Sequence, residues 1–318
     1  MWSRRKWTNL LMCSMLGCSA HLGCSGRHVM RIAVIPRTTG TQLWEAEHAG
    51  VEAGAKRWNV TLYWNAPTRE DDVERQIAMF ERAIDQGYDA IVLSPDQPLS
   101  LLSSVNRALA HGLRVVVVGS PMPLAAHPGL KQIVNDDSES GRLAARRIGA
   151  QLHGHGEVAV LGVDGDLSSL VRRERAFRLE LASNSPDVHI VDEEAGAFNR
   201  AHVEKTAADI IRTQPRVQAI FALTSEATQG SFAAVQNSGS GLILVGCEQD
   251  FAISVTSKEM DSLIVEDTVG MGYQAIQWIM EPGDSNNSDV ELKPLLVTKD
   301  NLHQKDVQQM LAFYWKQE

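Results

Sequence analysis

The chain has 318 residues, 44 % of them hydrophobic and 22 % charged, and a formal net charge of −9. This is the composition of an ordinary globular protein, long enough to bury one large core or two medium ones. The acidic balance argues against nucleic acid as a partner, because affinity for phosphate backbones needs a basic face.

The first segment, residues 1–29, reads as an export leader. Arg4, Arg5 and Lys6 precede the apolar run Leu10–Gly17, and small residues follow. The run is far shorter than the roughly 18 apolar residues that would suggest a spanning helix. Three of the four cysteines, Cys13, Cys18 and Cys24, fall in this segment, and Cys247 stands alone in the body. The body is therefore not a disulfide scaffold. A leader ending in Gly-Cys resembles a bacterial lipoprotein signal, which would make Cys18 the lipid-bearing residue, with Cys24 the alternative. Met15 and His21 stand where such signals usually carry leucine. Translation from Met30 would instead leave a cytoplasmic protein, so the start remains open.

From Met30 onward, short apolar runs alternate with amphipathic segments. Arg31–Ile35, Ala90–Leu93, Val115–Val118, Val158–Leu161, Ala219–Ala222 and Leu242–Val245 are continuous runs, the pattern of parallel strands covered on both faces. Between them, Val73, Ile77, Phe80 and Ile84 share one helix face, as do Leu102, Val105 and Leu109. Leu43, Ala46, Gly50 and Ala53 form a face of mostly small residues, expected to let that helix lie close to its sheet. The strand–helix repeat, roughly every 25 to 30 residues, predicts α/β units with right-handed crossovers. Ten or so strands exceed one compact sheet, and the irregular stretch from Gly119 to Lys131, with its three prolines, precedes a seam near Ile133–Asp137. Two doubly wound lobes are expected. Ligands sit beyond the carboxyl ends of such strands, which points to Arg37, Ser94, Ser120, Asp164, Thr224 and Glu248.

Catalytic signatures are weak, and neither a cofactor nor a metal is expected. His153-Gly-His155 reads as a solvated turn, Cys247 as a buried inert thiol, and Asp71-Asp72 as partners of a helix amino end. Asp136-Asp137 look similar, although their place at the seam leaves a functional role open. Arg172-Arg-Glu-Arg175 is read as opening a helix, where a cation opposes the dipole and calls for a partner. That partner is either an internal acid or an acceptor-rich ligand, since arginine's fork suits two adjacent oxygens.

From about Met30 to Asn301 the chain resembles type I periplasmic binding proteins of the ribose-binding class. The likeness rests on segments in order: Ile32-Ala-Val-Ile-Pro36 with Gln42-Leu-Trp44, Ala90–Asp96, Ile133–Ala145, Arg173-Glu-Arg175, Ala197–Arg200, Gln218–Ala222, Val245-Gly246 and Leu296–Asn301. It implies an α/β fold of two parallel-sheet lobes joined by a three-segment hinge. The implied division is 30–135 plus about 267–292 for the first lobe, and 136–266 plus about 293–318 for the second. The implied ligand contacts are Arg37, Thr41, Leu43, Trp44, Ser94 and Ser120 from the first lobe. Asn135, Arg173, Phe198, Thr224 and Glu248 come from the second, with Glu266 near the second crossing. Trp44 and Phe198 can cover the C–H faces of a sugar while Arg173 and Glu248 bond adjacent hydroxyls. Gly119-Ser120, Thr224-Ser225, Arg37, Glu248 and Glu266 depart from the family's common residues. Arg37 and Arg173 then suggest an acid or phosphate group on the ligand.

The function implied is extracytoplasmic capture of a small polar ligand, a sugar or sugar derivative, for delivery to an ABC-type permease made of separate chains. The alternative keeps the fold and signals occupancy to a membrane kinase or chemoreceptor. The resemblance implies a monomeric binding protein and not an enzyme, meeting the membrane only through a lipid anchor.

Overall fold

The computed structural model describes residues 29–313, apart from 197, 248 and 283–288. Both candidate lipidation sites, Cys18 and Cys24, lie outside the described residues. In chain order the first elements are β1 (Arg31–Ile35), α1 (Gln42–Trp58), β2 (Thr61–Trp64), α2 (Val73–Asp85), β3 (Ala90–Leu93), α3 (Leu102–Ala110), β4 (Arg114–Gly119) and β5 (Leu130–Asn135). Next come α4 (Asp137–Gln151), β6 (His155–Val163), α5 (Ser168–Asn184), β7 (Asp187–Ala195), α6 (Arg200–Thr213), β8 (Val217–Ala222), α7 (Ser225–Ser238) and β9 (Ile243–Gly246). The last are α8 (Ala252–Ser257), β10 (Ser262–Val265), α9 (Thr268–Met280), β11 (Val290–Leu292), β12 (Leu295–Thr298) and α10 (Lys305–Leu311).

The strands form two six-stranded sheets, ordered β11-β5-β4-β3-β1-β2 and β12-β10-β9-β8-β6-β7. Every pairing is parallel except β10 with β12. The order reverses direction between β3 and β1 in one sheet and between β8 and β6 in the other. Such switch points open a crevice beyond the strand ends, where ligands bind in doubly wound folds. The chain passes between the sheets three times: from β5 into α4, from β10 into α9, and from β11 into β12. The predicted seam at Ile133–Asp137 is the first of these passages.

Alternation along the strands builds a core on each face. Ala33 and Ile35 with Ile91 and Leu93 join α2 and α3, while Ile32 and Val34 with Ala90 and Val92 join α1 and α9. The second sheet does likewise, sending Val158, Val160 and Phe221 toward α4 and α5, and Ala159, Leu161 and Ile220 toward α6 and α7. Because each residue of a central strand faces one covered side or the other, these strands read as unbroken apolar runs.

Two expectations need correction. The small-residue face of α1 meets another helix rather than the sheet. A Cβ on Gly50 would stand 2.1 Å from the Val269 carbonyl oxygen, and one on Gly272 would stand 2.4 Å from that of Glu47. Backbone lies on backbone, which only a missing side chain allows. Ala53, assigned to that face, points to solvent. The second correction concerns Arg172 and Arg173. Helix α5 begins at Ser168, so both lie beyond its first turn, where the dipole has faded. Their acidic neighbours, rather than the helix end, account for them. Elsewhere the local readings hold: Asp72 and Asp136 cap α2 and α4 by accepting from the Arg75 and Glu139 amides. No helix among the described residues is long and apolar enough to cross a membrane.

Candidate functional site

A cleft opens where the carboxyl ends of the two sheets face each other. Arg37, Leu43, Trp44, Glu47, Glu70 and Ser120 line it from the first sheet's side. Ser169, Arg173, Phe198, Thr224, Cys247 and Gln249 line it from the second. Asn135, Asp137, Glu266 and Thr268, at the first two passages between sheets, form part of its wall. The space open to the centres of water-sized molecules is about 100 Å³. One water needs roughly 10–15 Å³ on that measure, so the cleft has room for a small molecule.

The positioning begins with the strand ends. Gln76, fully buried on α2, donates to the carbonyls of Pro36 (3.2 Å) and Ser94 (2.8 Å) and accepts from the Asp96 amide (2.9 Å). This ties together the loops after β1 and β3 and fixes where Arg37 emerges. Arg37 then donates to the Pro95 carbonyl at 3.2 Å and to Ser120 Oγ at 2.7 Å, with Glu70 at 3.8 Å. Its guanidinium carbon lies 5.7 Å from the Trp44 ring centroid and 5.8 Å from that of Phe198, the range of cation–π contact. Trp44 in turn donates its indole N–H to Glu70 at 2.8 Å.

On the other side, Arg173 is buried and bonds the Leu223 carbonyl and Asp137 Oδ1, both at 2.8 Å, and also Glu266. Asn135 donates to Glu266 Oε2 at 2.6 Å. Burial works against the Arg173 charge, but the Glu266 and Asp137 carboxylates more than offset it and hold the guanidinium firmly protonated. Burial also raises Glu266 above the usual carboxylate range, though Arg173 opposes the shift. Loss of hydration pushes the Cys247 thiol up to about 11, leaving it protonated and unreactive at neutral pH.

Nine of the sequence-predicted contacts share this cleft: Arg37, Leu43, Trp44, Ser120, Asn135, Arg173, Phe198, Thr224 and Glu266. Thr41 and Ser94 do not line it. Thr41 precedes α1 and its carbonyl accepts from the Glu45 amide. Ser94 sits behind the wall, donating to both carboxylate oxygens of Glu47 at 2.9 and 3.1 Å. Glu248 lies outside the described residues. Sequence reasoning missed Glu47, whose carboxyl is buried and pushed up to about 7 by desolvation. The available signal was a single acid on a helix face of small residues. Gln249, Ser169 and Glu70 were missed as well; nothing in their spacing marks them.

Both predicted arginines are thus committed to oxygens of the protein itself. Of the two partners left open for Arg173, the internal acid is present.

Two parallel sheets joined by three passages, with a polar and aromatic cleft at their strand ends, define a two-lobed ligand-binding protein. Residues 32–282 match the model of the periplasmic binding protein domain, and the chain belongs to that family. It is 23 % identical over 233 residues to the ribose import binding protein of Bacillus subtilis, covering 72 % of this chain and 73 % of the relative. It is 24 % identical over 224 residues to the D-allose-binding periplasmic protein of Escherichia coli, covering 67 % and 70 %. Among solved structures, a carbohydrate transporter solute-binding protein from Agrobacterium radiobacter in complex with D-arabinose superposes with a TM-score of 0.83. That match has 21 % identity and covers 90 % of this chain and 99 % of the other.

Proposed function

We propose that this protein captures a sugar or sugar derivative outside the cytoplasm and presents it to an ABC-type permease. The observation that carries this reading is the composition of the cleft. Trp44 on one side and Phe198 on the other both approach Arg37, amid hydrogen-bonding side chains from both sheets. Aromatic faces cover the apolar C–H faces of a sugar ring while polar groups take its hydroxyls. Relatives named for binding ribose, D-allose and xylitol support the same ligand class.

In this reading, residues 30–135 with about 267–292 move as one lobe against 136–266 with about 293–318, hinging at the three passages. Ligand contacts made only in the closed form shift the population toward closure. The protein acts as a monomer, held at the membrane by a lipid on Cys18 or Cys24. A thermal-shift screen tests the ligand class, because a ligand that binds only the folded state raises the melting temperature. Stabilisation by one or more sugars or sugar alcohols is expected. Stabilisation by amino acids or peptides, with none by any sugar, would overturn the reading.

A further inference from the structure

Glu266, just past β10 at the second passage between the sheets, holds three other residues of the cleft wall. Its carboxylate accepts from Asn135 Nδ2 at 2.6 Å through Oε2 and from Arg173 Nη2 through Oε1, and its main-chain carbonyl accepts from Gln249 Nε2 at 3.3 Å. Asn135 ends β5 of the first sheet, while Arg173 on α5 and Gln249 beyond β9 stand on the side of the second. All three are deeply buried, with exposures of 9 %, 6 % and 1 %.

These bonds decide which atoms are left over. A carboxylate and a carbonyl only accept, so the amide nitrogens of Asn135 and Gln249 face Glu266 and their oxygens do not. Arg173 uses its two terminal nitrogens on the Leu223 carbonyl, Asp137 and Glu266. Asn135 Oδ1, Gln249 Oε1 and Arg173 Nε remain, buried and with no partner among the described residues. The set is two acceptors and one donor. Buried polar atoms are unfavourable when unpaired, and the three residues that carry these line the cleft.

We propose that these three atoms read two neighbouring hydroxyl groups of the ligand, with Gln249 a specificity-determining contact and Glu266 the residue that positions the set. This rests on the sugar reading above and deepens it. Two hydroxyls bring the two donors that the amide oxygens need and a lone pair for Arg173 Nε. Such pairs occur on neutral, basic and acidic sugars alike, so the subsite selects a pattern of hydrogen bonds rather than a charge. Glu266 also sets the polarity of Asn135. In Glu266→Gln the new amide oxygen would accept from Arg173 and its nitrogen would face Asn135, which would then turn to accept with Oδ1 and present Nδ2 to the ligand.

The test is calorimetric titration of the full-length protein at pH 8 with D-ribose, D-allose, D-arabinose, D-glucose, D-galactose and xylitol. The monodeoxy and monodeoxyfluoro forms of the tightest binder follow. Loss of either hydroxyl at the subsite should weaken binding roughly five- to hundredfold. Fluorine cannot donate, so the fluoro forms should not regain the parent's affinity. In Gln249→Met one sensitive hydroxyl should lose its effect, the parent and that deoxy form then binding within about twofold of each other. In Glu266→Gln the fluoro form at the hydroxyl facing Asn135 should recover several-fold relative to the parent. A buried water would fill the same roles, but deoxy forms would then bind like the parent, or their penalties would stay unchanged in Gln249→Met. Either result overturns the proposal and leaves the sugar reading standing. An unchanged fluoro penalty in Glu266→Gln would remove Glu266 as the residue that sets the pattern; should that variant fail to fold, Gln249→Met decides alone. Silence from the whole panel overturns the sugar reading and this proposal with it.

Discussion

Ser120, just beyond β4 of the first sheet, and Ser169, in the first turn of α5 on the second, bring their hydroxyl oxygens to 3.0 Å across the cleft. Ser120 also accepts from Arg37 at 2.7 Å, so one buried hydroxyl links an arginine of one lobe to a helix of the other. Such a contact exists only while the lobes are apposed, so it contributes to closure and not to folding within either lobe. Ser169→Ala should weaken ligand affinity roughly fivefold, about 1 kcal/mol, for the loss of one hydrogen bond. The denaturation midpoint without ligand should hardly move. Titration calorimetry and urea unfolding on the same variant separate the two effects, and unchanged affinity would show that this contact does not bias closure.

Arg173 behaves as a structural cation. Its replacement by alanine removes the ion pair of Glu266 and leaves Asp137 with Arg172 alone, at 3.1 Å, in a buried wall. Breaking such a pair by removing one partner costs about 3–5 kcal/mol. Arg173→Ala should lower the melting temperature clearly, before any ligand is added. Retention of the wild-type unfolding curve would mean that the two carboxyl groups are stabilised without the guanidinium.

Glu47 gives the protein a pH signature. Desolvation raises its carboxyl from 4.5 to about 7, with Ser94 and Arg37 opposing the shift. A raised acid binds protons more tightly in the folded state, so its contribution is complete below pH 4.5 and is lost as pH rises through 7. Removing the ionisable group should therefore help most where it is ionised. Glu47→Gln should gain stability relative to wild type between pH 5 and pH 8, on the order of 3 kcal/mol at most. Paired urea titrations at the two pH values measure the difference. A gain that is the same at both would contradict the assignment.

The close helix contact predicts strong position dependence along α1. Gly50→Ala would force a methyl against the Val269 carbonyl, and overpacking of this kind costs about 1–3 kcal/mol or more. At Ala53, one turn on and facing solvent, an exchange to serine should fall within about 0.5 kcal/mol of wild type. Equal effects at the two sites would mean that α1 and α9 are not in backbone contact.

The parts legible in the sequence were those whose physics is local. The strands at the centre of each sheet are apolar on both faces, and Ala90–Leu93 or Ala219–Ala222 could be picked out directly. Edge strands were not, because one side of them meets water. Thr61–Trp64 alternates between exposed and half-buried residues, and Asp187–Ala195 carries Asp192, Glu193 and Glu194. The cleft was legible where a side chain follows a strand end or belongs to the family's pattern, as with Arg37, Ser120 and Phe198. Charge compensation was not. That Arg173 meets Glu266, 93 positions away, and that Glu47 turns into the cleft from a helix face, are consequences of how two sheets assemble.

The proposed ligand site lies between Trp44 and Phe198, in a cleft shared by both lobes. The direct measurement is calorimetric titration of wild type, Trp44→Ala and Phe198→Ala with the sugar or sugar alcohol that most stabilises the wild type. One-to-one binding is predicted, weakened about a hundredfold or more in each variant, since each loses an aromatic face of the site. Wild-type affinity in both variants would place the ligand elsewhere and contradict the account.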